Sequence, residues 1–163
     1  MAKDKEPADV GFDIELLLPF QINQLSSRLA AQARRIIALH GDLTLPQWRI
    51  VRILAAGVAR NSTAVRKSSG IDKGQFSKTV NALVEQGYII TRPSAADQRQ
   101  FEIALTDKGQ AAHRRLAPDL EARQRHLMAA LTPEQRAVIF PAIRALAEAA
   151  ETIDFLDTPS TED

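Results

Sequence analysis

Six polar or small residues lie close together in the middle of the chain: Lys73, Gly74, Gln75, Ser77, Lys78 and Asn81. The carboxamides of Gln75 and Asn81 suit the paired donor and acceptor on the edge of adenine. Lys78 suits guanine or a phosphate, and Ser77 serves either role. Gly74 lets a backbone approach phosphate closely. A second group follows: Arg92, Asp97 and Arg99. An arginine at a hairpin tip can enter a narrow, electronegative minor groove, which is the role open to Arg99. Asp97 repels phosphate, so its part is to accept a charge-assisted bond from an arginine and orient the loop. Arg92, nearer the hairpin base, can reach the phosphate backbone. Upstream, Asn61, Ser62 and Thr63 stand where a helix begins, and free N–H groups at such an end favour anions. Each set has a plainer reading: a solvated helix face, a surface ion pair of little energetic value, and ordinary capping. Arg66 and Lys67 contact a nucleic-acid backbone or are simply solvated.

The elements that must position these residues are legible from caps and periodicity. Asp72 caps a helix, with Gln75 at the capping-box position. Phe76, Val80, Leu83 and Val84 form its apolar stripe, and Gly87 stops it. Tyr88 to Arg92 and Phe101 to Leu105 read as two strands, with Phe101, Ile103 and Leu105 alternating inward. Pro93 to Arg99 is the turn between them. A helix followed at once by a basic hairpin is the outline of a winged helix-turn-helix. A short helix capped by Asn61, Ser62 or Thr63 precedes it, with Ala64 and Val65 inward. Before that, Thr44 and Gln47 make a capping box for a helix carrying Trp48, Val51, Leu54 and Ala55.

Long helices flank this module. One starts near Pro19 and runs to Gly41, with Leu18, Ile22, Leu25, Leu29, Ala33 and Ile36 on one stripe. Thr106 and Asp107 open another through about Ala130, striped by Leu116, Leu120 and Leu127 and kinked at Pro118. Thr132 and Gln135 open the last, to about Phe155, striped by Val138, Ala142, Leu146, Ala150 and Ile153 and bent at Pro141. The fold class is mainly α (α+β). These outer stripes are too long for the small module to cover, which points to a second copy of the chain.

Composition narrows the chemistry. The 163 residues include no cysteine, which excludes disulfides, thiolate metal sites and thiol nucleophiles. No apolar run approaches the ~20 residues of a membrane span, and the N-terminus lacks a signal-peptide core, so a cytoplasmic location is expected. His40, His113 and His126 are isolated, and no histidine pair at i and i+4 has an acidic partner. No phosphate-cradling glycine loop or nucleophile motif occurs. We therefore expect no catalytic residues, no metal and no cofactor. The formal charge is only +1, but it is unevenly spread. From Arg60 to Gln100 the bases Arg60, Arg66, Lys67, Lys73, Lys78, Arg92 and Arg99 face three acids, Asp72, Glu85 and Asp97. Acidic residues gather at both ends of the chain.

Leu43-Thr44-Leu45-Pro46-Gln47-Trp48, Asp97-Gln98-Arg99 and Leu105-Thr106-Asp107-Lys108-Gly109 together resemble the MarR family of bacterial transcription regulators. The likeness covers roughly residues 18 to 155. It implies a homodimer joined by the terminal helices (12–40 and 106–156), with a winged helix module at 44–105 that reads a pseudo-palindromic operator in double-stranded DNA. A disordered arm (1–11) and a disordered acidic tail (157–163) are expected on either side. Many members are repressors released by a small ligand bound between the dimerising and reading parts. Arg28, His40, Trp48, Arg49 and Arg52 are on or near the helices that face that region. A tryptophan with an arginine could hold an aromatic acid by stacking and a forked ion pair; an acyl-thioester is a further candidate effector. The plain reading is a core tryptophan and surface arginines. Gly74 and Gln75 stand where many relatives carry hydroxyl residues, so base preference should differ. The rival reading is a winged helix that binds a protein partner without specific DNA binding.

Overall fold

The computed structural model describes residues 14, 17–41, 43–94 and 100–153. The expected arm and acidic tail lie outside these residues, as do Asp97 and Arg99 at the wing tip. In order, the elements are α1 (Leu18–Ala38), α2 (Leu45–Ala55), α3 (Ser62–Ser69), α4 (Lys73–Glu85), β1 (Ile89–Pro93), β2 (Phe101–Leu105), α5 (Asp107–Ala129) and α6 (Pro133–Ala149). They fall into two compact units, one through Pro118 and one from Asp119. The division lies inside α5, at the proline that cannot donate a bond to the preceding turn.

In the first unit, local chemistry sets each boundary. Thr44 and Gln47 close a full capping box at α2: the Thr44 N–H donates to Gln47 Oε1 at 2.8 Å, and the Gln47 N–H donates to Thr44 Oγ1 at 3.4 Å. Asn61 caps α3, accepting the Ala64 N–H at 2.8 Å. Asp72 caps α4, accepting the Gln75 N–H at 2.9 Å. After α4 the chain turns at Gly87, whose φ of 74° favours a residue without Cβ.

β1 and β2 pair antiparallel, with Ile89 opposite Leu105 and Pro93 opposite Phe101. The segment before α3 extends this small sheet. Asn61 bridges Glu102, and the Arg60 carbonyl accepts the Ile103 N–H at 2.8 Å. The wing is thus tied on its second edge to the entry of α3. Ile50, Val51, Val65, Leu83, Ile89 and Ile103 are almost completely buried and form the centre of the core. Burying each such side chain contributes ~1.5–3 kcal/mol.

Two stripes differ from expectation. In α4, Val84 is 39% exposed, while Thr79, at the opposite margin of the stripe, is buried. Val84 lies about 80° around the helix from Phe76, at the margin of the stripe. In α1 only Ala33 and Ile37 are buried, while Leu18, Ile22 and Leu25 stand exposed.

In the second unit, Thr132 and Gln135 close a capping box at the start of α6. The Glu134 carboxyl is held below its usual range, chiefly by a backbone N–H and then by the Thr132 hydroxyl. The last helix ends at Ala149, short of the expected Phe155. The Ala150 N–H reaches both the Leu146 and Glu148 carbonyls, which tightens and closes the final turn. Val138, Phe140, Ile143 and Leu146 are exposed.

Gly109, in the first turn of α5, packs directly on the Tyr88 backbone between α4 and β1. A Cβ there would collide with the Tyr88 carbonyl oxygen and sit 2.9 Å from Leu105 Cδ2. Gly109→Ala should therefore destabilise the chain by about 1–3 kcal/mol, as overpacking does. Urea denaturation measures this; an unchanged midpoint would show that α5 shifts freely.

Candidate nucleic-acid interface

One helix, α4, separates two chemistries by its period. Phe76, Thr79, Val80 and Leu83 are buried, while Lys73, Gly74, Gln75, Ser77, Lys78 and Asn81 are all exposed. The six candidates are thus brought to one element, and the core residues hold that element from behind. The Ser77 hydroxyl donates to the Lys73 carbonyl at 3.3 Å, a bond it can exchange for an outside partner. Thr79 Oγ1 is inward and donates to the Gln75 carbonyl at 2.7 Å.

Gln75 departs from its sequence pattern. In α2 and α6 the glutamine at the third helical position folds back onto the cap. In α4, among the described residues, only the Asp72 half of that box is formed. The Gln75 carboxamide stays on the exposed face.

The phosphate-anchor candidates split. Asn61 is the cap itself, and Thr63 is exposed in the first turn of α3. Ser62 is buried, and its Oγ accepts the Phe101 N–H at 3.4 Å. Its hydroxyl thus ties α3 to the wing, while its backbone N–H remains part of the first turn of α3. Arg92 is exposed on β1, opposite Glu102 on β2, so an acid not foreseen in the sequence stands beside it. The Ser94 N–H donates to the Gln100 carbonyl at 3.1 Å, at the last described step of the hairpin. Between α4 and the wing runs an open groove of about 280 Å³, lined by Val80, Asn81, Val84, Glu85, Thr91 and Phe101.

The ligand candidates do not converge. Trp48 is buried, and its ring stacks on His113 of α5 with centroids 5.5 Å apart and planes 9° from parallel. Arg28 Nη2 donates to Gln24 Oε1 at 3.3 Å on the exposed side of α1. Arg49 and Arg52 are exposed on α2. Of these five, His40 lines a cleft, together with Ile37, Leu43, Ala112, Arg115 and Leu116. The cavity is about 10 Å³, space for one water. Arg115 was not singled out in the sequence, and His113 was weighed there only as a metal ligand. Their single positive signal was a place on α5 near the Leu116 stripe.

Among the described residues there is no cluster of three or more histidines or acids placed to hold a metal ion. No described helix is long and apolar enough to cross a membrane.

A polar helix face presented beside a two-stranded wing, on a scaffold of further helices, defines a winged helix DNA-binding module. The model of the MarR family matches residues 41–100. The homoprotocatechuate degradative operon repressor of Escherichia coli is 31% identical over 113 residues, covering 68% of this chain and 76% of that protein. The chain belongs to the MarR family and is a DNA-binding transcriptional regulator. Its fold is similar to that of the PcaV regulator of Streptomyces coelicolor in complex with its natural ligand. There the TM-score is 0.73 and the identity 24%, over 85% of this chain and 97% of that one. It is also similar in fold to the repressor CouR bound to a 23-mer DNA duplex. That match has a TM-score of 0.70 and 24% identity, over 82% of this chain and 94% of that one.

Gly74 needs no special backbone angle, and a Cβ there would meet only Asp72 Oδ1 at an ordinary 3.5 Å. Gly74→Ala should raise stability by about 0.5 kcal/mol while weakening DNA binding, because a methyl group then holds the backbone off phosphate. Urea melts and fluorescence anisotropy on a duplex check the two effects separately. Unaltered affinity would place this backbone away from DNA.

Proposed function

We propose that the protein is a ligand-responsive repressor that binds a pseudo-palindromic operator as a homodimer. The observation that carries this reading is the exposed set Lys73, Gly74, Gln75, Ser77, Lys78 and Asn81 on α4 beside the wing. α4 enters the major groove, with Gln75 and Asn81 toward bases and Lys78 toward guanine or phosphate. Thr63 and Arg92 contact the phosphate backbone. Arg99 reaches the minor groove, with Asp97 orienting it. Ser62 supports the contact from behind, through the wing.

Dimerisation accounts for the apolar faces left in water. Leu18, Ile22 and Leu25 on α1, and Val138, Phe140, Ile143 and Leu146 on α6, are exposed in the single chain. Exposed apolar surface of this extent favours burial against a second copy. The pair then sets two recognition helices about 34 Å apart, the spacing of successive major grooves.

The effector is an aromatic acid, and we place it at the cleft lined by His40 and Arg115. A guanidinium suits a carboxylate. The E. coli relative is named for repressing a homoprotocatechuate degradative operon, and PcaV was solved with its natural ligand. The cleft is too small for such a molecule as it stands, so binding must widen it. A ligand that favours the widened state disfavours the DNA-reading geometry by the same differential free energy. Arg28, Trp48, Arg49 and Arg52 are then outside the first contacts. The protein acts in the cytoplasm, where its DNA is.

Two substitutions test the reading on a duplex selected from a random pool. Gln75→Ala should change preference at one base position and leave the salt slope unaltered; an equal loss on every sequence would move Gln75 to the backbone. Arg99→Ala should cost about tenfold in affinity, the scale of one lost contact of ~1–3 kcal/mol, with the fold intact. Wild-type protein that remained a monomer and ignored every duplex at low salt would favour the protein-binding alternative.

A further inference from the structure

Three successive carbonyls follow α4, and all three are taken by residues 106–108. Lys108 Nζ donates to the Gln86 carbonyl at 2.7 Å. The Thr106 hydroxyl lies 2.7 Å from the Gly87 carbonyl and 3.1 Å from that of Tyr88, and the Thr106 N–H donates to Tyr88 at 3.0 Å. Lys108 supplies the charged donor to these carbonyls. Its ammonium also sits 4.5 Å from the centre of the Tyr88 ring. A cation is favoured at this place twice over, by the negative end of the α4 dipole and by the ring face.

The clamp has a third side. Gln47 is buried, and its Nε2 donates to Gln86 Oε1 at 3.0 Å. Residue Gln86 therefore receives α2 on its side chain and α5 on its backbone. Gly109 closes the gap, since nothing larger fits against Tyr88. The face of α5 that carries Lys108 also carries Ala112, Arg115 and Leu116, at i+4, i+7 and i+8. These are the residues that line the cleft with His40.

We propose that Lys108 is a positioning residue for DNA binding: its ammonium holds the carbonyl end of α4 against the first turn of α5 and so sets the angle at which the recognition face is presented. Lys108 does not touch DNA in this role. The proposal rests on the assignment of α4 as the recognition helix.

The test uses full-length protein and a duplex selected by the wild type from a random pool. Lys108→Met keeps the aliphatic stem over Tyr88 and removes the charge; Lys108→Gln is a second neutral variant; Lys108→Arg restores a charged donor. Affinity is measured across a salt series, alongside thermal melting. Either neutral variant should lose five- to tenfold in affinity, with an unchanged salt slope and a protein still fully folded at the assay temperature. Lys108→Arg should recover to within about twofold. A slope smaller by about one would make Lys108 a phosphate contact and overturn the proposal. So would unchanged affinity, or a loss that arginine does not repair. Wild-type protein that selects no duplex defeats the recognition-helix assignment instead, which separates the two failures.

Discussion

The carbonyls at the end of α4 set the terms for the rest of the reading unit. A helix ends with acceptors that lack partners, and leaving such a group unsatisfied away from water costs ~1–3 kcal/mol. Here the turn's own N–H groups, of Gln86, Gly87 and Tyr88, take the carbonyls of Ala82, Val84 and Leu83. The chain turns at Gly87 and enters β1 within two residues, so no further helical turn supplies donors to the carbonyls of Gln86, Gly87 and Tyr88. Thr106 and Lys108 supply them from the far end of the hairpin. One set of bonds thus follows the end of α4, starts the wing and begins α5. Gly109 shows how close the approach is, because even a methyl group at that position is excluded.

The same short pattern, a capping residue followed three positions later by glutamine, has different outcomes in this chain. At α2 and α6 the glutamine folds back and the box is complete. At α2 the buried carboxamide does more, reaching across to Gln86. At α4 aspartate caps alone and the glutamine stays exposed. A reciprocal box would tie down the group that suits a base edge. Leaving it open costs α4 one local bond and keeps a donor and acceptor available at the N-terminal end of the helix. Lys73 and Lys78 stand on the same helix, so positive charge and side chains suited to base edges share one element.

Packing around Trp48 divides the flanking elements. Trp48 is the single tryptophan of the chain, and its stack with His113 joins α2 to α5. The cleft lined by His40 and Arg115 draws on α5 as well, only a turn or two from Lys108. Any molecule that widens that cleft bears on the helix that holds α4. In the second unit, α6 leaves large apolar side chains exposed. An isolated helix of 17 residues gains little from propensity alone, so such a face needs a packing partner to be worth forming.

Helix caps, the order of elements, the alternation of β2 and the two-sided character of α4 were legible in the residues themselves. Each rests on interactions within three or four positions, or on a period of 3.6 or 2, and these survive whatever the rest of the chain does. The family resemblance was legible for the same reason, since it lay in short motifs at element ends. The hidden parts lie across long separations. Ser62 meets Phe101, and Gln47 meets Gln86, each pair 39 residues apart. Trp48 meets His113, and Lys108 meets Gln86, across still other turns of the chain. No spacing rule encodes which hydroxyl turns inward or which lysine closes a helix end. Val84 and Ile37 make the same point at stripe margins: periodicity marks a face, but the neighbouring helix decides how wide that face must be.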